Sequence, residues 1–239
     1  MNSVKLTRIQ KLIGQRMLKS KQEKPCFYIR LKADVTGLMG MRHKLSKSAG
    51  PPGDGLRHVK ITTNAFYIRA LAMAAKKYPL MLGIFAGDYI KVADAINIGF
   101  AVSAAEGLFV PVIKNADTRS LAEIARLEKE LTEKARANKL TLEDMEGETI
   151  ALSNLGSYGL DWFLGIVPPP ASTILAVGNV IKELVPFDGK PTARKMVSLS
   201  LAADARIIQA PYAAEFLNFI KSNLENPDDM VRHERANSG

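Results

Sequence analysis

The sequence predicts a two-layer α/β (α+β) sandwich, a mixed sheet with helices packed on one face, in a single domain over residues 1–225. Three observations carry this. Phe27, Ile29, Leu31, Ala33 and Val35 alternate with Tyr28, Arg30, Lys32 and Asp34, the period-two pattern of a half-buried strand. Apolar residues recur at helical spacing in several segments, among them residues 63–77 and 120–138. Strand runs and helical runs mix without the strict alternation of a doubly wound sheet. No segment repeats at a period of about 20–50 residues, so solenoids and propellers are excluded.

Taken in order, residues 7–22 read as a helix with Ile9, Leu12, Ile13 and Met17 on one stripe. The strand at 27–35 follows, and Thr36 opens a short helix through Leu38, Met39, Met41 and Leu45. Residues 49–55, rich in Gly and Pro, are the clearest loop in the chain. The helix over 63–77 is stopped by Pro79. Residues 84–90 read as a hairpin turning at Gly87. Buried strands are expected at 96–102 and 108–113. Ser120 and Glu123 form a capping box for a helix to about Asn138, with Leu121, Ile124, Leu131 and Ala135 inward. Three further strands are expected at 149–153, 173–177 and 195–202. Pro211 suits the first residue of a last helix ending near Leu224. Residues 226–239 form a polar tail expected to fray.

Composition narrows the function classes. Over 239 residues, 47% are apolar and 24% charged, the globular average. Cys26 is the only cysteine, so no internal disulfide framework exists, and it stands in no metal-ligand spacing. No metal site is expected. No apolar run approaches 18 residues: the nearest, 64–78, is broken by Arg69 and ends in Lys76-Lys77, so no membrane span is expected. The opening Met-Asn-Ser-Val-Lys has no signal-peptide core, and the expectation is a soluble, cytoplasmic protein. The formal charge of +9 is concentrated: residues 1–48 hold twelve Lys/Arg against Glu23 and Asp34. Such a segment can face a polyanion, but a solvated surface is the plainer reading.

Chemistry-bearing motifs are few. There is no phosphate loop and no nucleophile elbow. His43, His58 and His233 lie on a basic helix, beside a loop and in the tail, and read as surface residues. Gly99 and Gly107 flank an apolar strand and suit a turn or a close backbone approach. Pro168-Pro169-Pro170 reads as a rigid connector after Trp162-Phe163.

The order of segments resembles a known family. Residues 149–159, containing Ser153-Asn154-Leu155-Gly156, resemble the Ser-Asn-Leu-Gly stretch of the 2-oxo acid dehydrogenase dihydrolipoyl acyltransferases. Ile174-Leu175-Ala176-Val177-Gly178, Asn97 to Val102, Gly107 to Ile113, Gln15-Arg16-Met17 and Leu224-Glu225-Asn226-Pro227 are similar to the same family in the same order. The resemblance implies the fold of chloramphenicol acetyltransferase. It also implies trimers with active sites in channels between subunits, and trimers assembled into larger cages. Coenzyme A would enter one end of the channel and a lipoyl arm the other. In the family the histidine of a His-x-x-x-Asp-Gly motif is the general base, and the serine of Ser-Asn-Leu-Gly donates to the oxyanion.

The resemblance fails at that motif. Asp204 and Arg206 agree with the family's flanks, which places Ala205 at the base position, Gln209 at the Asp position and Ala210 at the Gly position. A methyl group takes no proton, and a general base contributes roughly 10²–10⁴ in rate. Pro168 stands where the family has asparagine before its double proline, and Cys26 where it often has histidine. No lipoyl or subunit-binding domain is expected ahead of the core.

The resulting expectation is a core subunit that is non-catalytic and serves as an oligomeric scaffold or binding subunit. It would be a homotrimer or larger cage, or share a mixed core with an active acyltransferase or another dehydrogenase-complex subunit. A lipoyl domain would come only in trans. Coenzyme A is the expected ligand, with no covalent cofactor, no membrane and no nucleic acid. The alternative is a coenzyme A-dependent acyltransferase of altered mechanism, with Ser153 as the oxyanion donor that remains.

Overall fold

The computed structural model describes residues 3–47 and 60–231. Helix α1 (Arg8–Glu23) opens on a capping box in which the Thr7 side chain accepts from the Gln10 N–H and the Gln10 side chain accepts from the Thr7 N–H. Strand β1 (Cys26–Asp34) and helix α2 (Thr36–Lys47) follow as the alternation predicts. Helix α3 (Thr63–Lys77) is capped by Thr62, and Pro79 opens the 3-10 turn Pro79–Leu82. Strands β2 (Gly83–Ala86) and β3 (Tyr89–Val92) form a hairpin turned by Gly87 at φ 73°. The expected loop at 49–55, His58 and His233 lie outside the described residues; His43 is exposed.

The next region corrects the sequence reading. The run expected as one strand at 96–102 divides into β4 (Ile98–Phe100) and β5 (Val102–Ala104). The run at 108–113 divides into β6 (Gly107–Phe109) and β7 (Val112–Ile113). Pro111 explains the second break, since it has no N–H to give a ladder. Ala101 explains the first: its N–H bonds to Leu152 O, and the chain leaves the main sheet to form a separate hairpin. Ala105 and Glu106 make that hairpin's turn, and Gly107, at φ 140°, opens β6 directly after it.

Helix α4 (Leu121–Arg136) begins at the predicted box, Ser120 with Glu123, and buries Leu121, Ile124, Leu131 and Ala135. Strand β8 (Ile150–Asn154) leads into a 3-10 turn at Gly156–Tyr158. Strands β9 (Thr173–Phe187) and β10 (Lys190–Asp204) are far longer than the expected 173–177 and 195–202. Their outer halves project past the core, so their alternation carries little apolar signal. Asp188 and Gly189 close the hairpin at φ 48° and 73°, the positive pair a tight two-residue turn requires. Helix α5 (Ala210–Glu225) carries Pro211 in its first turn. Beyond it, Pro227 and Met230 are buried, so the start of the polar tail contributes to the core.

Six strands form the mixed sheet in the order β1-β10-β9-β8-β4-β7. β8 runs parallel to β4 and β9, and the other pairs are antiparallel. One face packs on the helices through Phe66, Ile68 and Leu71 of α3, Ile124 of α4 and Phe216 of α5. Each such side chain contributes roughly 1.5–3 kcal/mol by leaving water.

The other face is smaller and carries Ala151, Ile174 and Ala202 in one cross-strand row. α1 lies against it and clasps the segment 167–171. Arg16 Nη2 donates to Pro169 O at 2.7 Å, Ser20 Oγ donates to Val167 O, and Lys24 Nζ donates to Ala171 O. Arg16 and Ser20, four positions apart, share one edge of the helix, and Lys24 follows at its C-cap. The Pro168–Pro170 connector is thereby fixed in place.

Candidate functional site

Ser153 sits near the end of β8, half-buried, opposite Ala176 of β9. Ala176 is opposite Ser200 of β10, so the three share a row on the face away from the main core. Ala205 follows the last residue of β10, and its N–H bonds to Pro25 O. Five residues of extended chain separate Ser200 from Ala205, about 17 Å, and two strand spacings separate Ser153 from Ser200, about 10 Å. Ser153 and Ala205 of one chain therefore lie roughly 19 Å apart and do not form a single site.

The turn that holds Ala205 is rigid. Asp204 is fully buried, and Arg206 folds back on it with Nε 2.9 Å from Oδ1 and Nη2 2.6 Å from Oδ2. The Arg206 guanidinium also stacks on Phe85, 4.4 Å from the ring centre. The N–H groups of Ile207 and Ile208 both bond to Asp204 O. Ala205, Gln209 and Ala210 are all exposed, and Gln209 caps α5 without a side-chain bond. No group at position 205 can carry a proton. Cys26, opposite Asp204 in the β1–β10 register, does not replace it: burial pushes its thiol up, with Asp204 adding to the effect. That favours the protonated thiol rather than a thiolate.

A cleft of about 680 Å³ opens on the helical side of β8. Asn154, Gly156, Ser157 and Tyr158 form one wall, Gly178, Asn179 and Lys182 of β9 another, and Asn64, Glu128 and Arg136 line the helices. Lys195 of β10 adds a third cation. Glu128 accepts from Thr62 Oγ1 at 2.5 Å and from Asn64 Nδ2 at 3.1 Å. Burial pushes its carboxyl above the ordinary value, against these two hydrogen bonds.

A second buried carboxylate lies under the α1 clasp. Glu148 is 8% exposed, and its Oε1 has no hydrogen-bond partner. Its side chain fills the space above Gly99, where an added Cβ would sit 2.5 Å from Oε1. Burial raises its pKa to about 7, while the charges of Arg16 and Lys24 pull it down.

Sequence reasoning overlooked both acids. Glu128 had a readable signal, since it falls on the inward stripe of α4 between Ile124 and Leu131, where an acid breaks the binary pattern. Glu148 had none, because it precedes the strand and its seat over Gly99 is a contact across about fifty residues of chain. Among the described residues no group of three His, Cys, Asp or Glu side chains is placed to hold a metal ion, and no helix is long and apolar enough to cross a membrane.

A mixed sheet with one helical layer and a Ser-Asn-Leu-Gly strand end defines an acyltransferase fold. The solved chloramphenicol acetyltransferase shares it at TM-score 0.50 and 15% identity, covering 91% of this chain and 94% of that one. Residues 1–232 match the family described as 2-oxoacid dehydrogenases acyltransferase (catalytic domain), and the chain belongs to that family. The acetyltransferase component of the pyruvate dehydrogenase complex of Rickettsia bellii is 34% identical over 227 residues. That alignment spans 95% of this chain and 53% of the relative, so the chain spans about half the length of the curated relatives it matches. The dihydrolipoamide acetyltransferase of Azotobacter vinelandii superposes at TM-score 0.90 with 32% identity, covering 97% and 94% of the two chains. The cubic core of a pyruvate dehydrogenase multienzyme complex gives the same values. In the Azotobacter enzyme, the catalytic mechanism was investigated through a serine, a histidine fifty-two positions later and an asparagine four beyond that.

Proposed function

We propose that this chain is a non-catalytic core subunit of a 2-oxo acid dehydrogenase-type assembly, serving as scaffold and binding surface. The observation that carries the reading is Ala205. Ser153, Ala205 and Gln209 repeat the Azotobacter spacing of fifty-two and four positions, and only the histidine is replaced by a group without a titratable atom. Gln209 keeps an amide where that enzyme has one, so the departure narrows to the base. The separation of roughly 19 Å expected from strand spacing between Ser153 and Ala205 supports a homotrimer or larger cage, in which Ser153 of one subunit meets position 205 of the next. The cubic core of the relative supports the same architecture.

The cleft is proposed to hold coenzyme A. Its size suits the ligand's arm, and Arg136, Lys182 and Lys195 give it an excess of positive charge over Glu128. A lipoyl arm would arrive in trans, from an active acyltransferase sharing the core or from another subunit of the complex.

The intact Ser153 strand end, on the face of β8 opposite the cleft, favours one second reading, an acyltransferase working without a base at 205. The two separate in one assay. The purified protein is given acetyl-CoA and free dihydrolipoamide, and thiol loss is followed while light scattering reports the assembly. The scaffold reading expects a trimer or larger cage with no turnover above the uncatalysed rate. Turnover establishes the enzyme, and a monomer at micromolar concentration overturns the core role.

A further inference from the structure

The wall of the cleft is tied together by a hydrogen-bonded relay over four elements. Thr62 Oγ1 and Asn64 Nδ2 donate to Glu128, Asn154 Nδ2 donates to Asn64 Oδ1 at 3.3 Å, and the Gly156 N–H donates to Asn154 Oδ1 at 2.9 Å. The direction of donation is fixed at both ends. An ionised carboxylate only accepts, and a backbone N–H only donates. Between them each asparagine has one satisfactory orientation, with its NH₂ toward Glu128 and its carbonyl toward Gly156.

We propose that Glu128 is the positioning residue of the Ser153–Gly156 turn, acting through Asn64 and Asn154 to hold the Gly156 N–H and with it the cleft wall. A carboxylate is a costly choice at this place. It sits on the inward stripe of α4, and the partners that meet it are the neutral side chains of Thr62 and Asn64. An apolar residue would pack there more cheaply but would leave the Asn64 NH₂ without an acceptor. The far end of the relay has little tolerance: a Cβ at Gly156 would lie 2.6 Å from Gly178 O, so the turn rests directly on β9. A shift of Gly156 therefore moves Ser157 and Tyr158, which line the cleft. The consequence for ligand affinity rests on the reading of the cleft as the coenzyme A site; the relay itself does not.

The test is amide exchange at Gly156, measured by NMR on the full chain and normalised to core amides of β8. Glu128→Leu is expected to accelerate Gly156 exchange at least tenfold over those amides. Glu128→Gln, which can turn its carbonyl to Asn64 and its NH₂ to Thr62, is expected to stay within threefold of the parent. Asn64→Ala breaks the relay without altering α4, and it should reproduce the Glu128→Leu result, also where the latter fails to fold. Unchanged Gly156 exchange in Asn64→Ala, or equal acceleration by Gln and Leu at 128, overturns the proposal. Coenzyme A titrations on the same proteins report separately: affinity should drop about tenfold with Leu and recover with Gln. No binding by the parent sinks the cleft reading and leaves the exchange result to decide the relay.

Discussion

Asp204 and Arg206 form a two-pronged ion pair across a single residue, and that residue is Ala205, at the position where a base is expected. The turn holds position 205 at the surface, where it presents only a methyl group. Asp204 is fully buried, and Arg206 is its ion-pair partner. Arg206→Ala should destabilise the fold by roughly 2–4 kcal/mol, toward the lower end because the guanidinium is partly exposed. Pairing it with Asp204→Asn should recover more than half. Urea midpoints of the two variants decide this, and equal losses would show that the pair contributes only packing.

Glu148 gives the fold a pH dependence of known sign. Its folded pKa, about 7, is above the ordinary carboxylate value, so the native state holds a proton that the unfolded chain releases. The associated stability is fully present below about pH 4.5 and lost as pH rises toward 7. The total is on the order of 3 kcal/mol. Glu148→Gln should flatten that part of the profile and be more stable than the parent at pH 8. A parent profile that rises from pH 5 to 7 with the same slope in both proteins would contradict the assignment.

Gly178 is required by a close approach. A Cβ there would fall 2.0 Å from Asp161 O, a backbone atom that cannot swing aside, and the Asn179 N–H bonds to the neighbouring Leu160 O. Gly178→Ala should therefore displace residues 160–161 and cost on the order of 1–3 kcal/mol. Thermal unfolding measures the loss, and quenching of Trp162 reports the displacement. Gly14→Ala, at a position with open space around it, is the control that should cost nothing.

The separation of Ser153 from Ala205 predicts complementation between subunits. A chain carrying Ala205→His together with Ser153→Ala has the base without the oxyanion donor, and the parent has the reverse. Co-assembled from denaturant, the mixture should transfer acetyl groups to dihydrolipoamide while neither pure protein does. An inactive mixture, beside an active Ala205→His homo-oligomer, would place both groups in one subunit's site.

Much of the fold was legible because its signals are local. The cap at Ser120 and the stop at Pro79 are read within a few residues, and the alternation of β1 needs no partner. The division of 96–102 was not legible, because Ala101 leaves the sheet through a bond to Leu152, fifty-one residues away. The charge excess of the first 48 residues was visible, but its use was not. Arg16 and Lys24 hold the carbonyls of 167–171, Lys21 bonds Tyr28, Arg30 stacks on Trp162 and Lys32 pairs with Glu183. Those cations fasten the second face of the sheet. Of the candidate site, the positions of Ser153 and Ala205 followed from motifs. Their distance and the buried acids Glu128 and Glu148 depend on packing that no motif encodes.

If the absence of a base at position 205 is what keeps the site silent, as proposed, restoring that base should awaken it. Ala205→His should raise the rate of acetyl transfer from acetyl-CoA to dihydrolipoamide by about 10²-fold or more over the parent, within the range a general base contributes. The parent should remain at the uncatalysed rate. Turnover by the parent that Ala205→His leaves unchanged would show that the site works without a base at position 205.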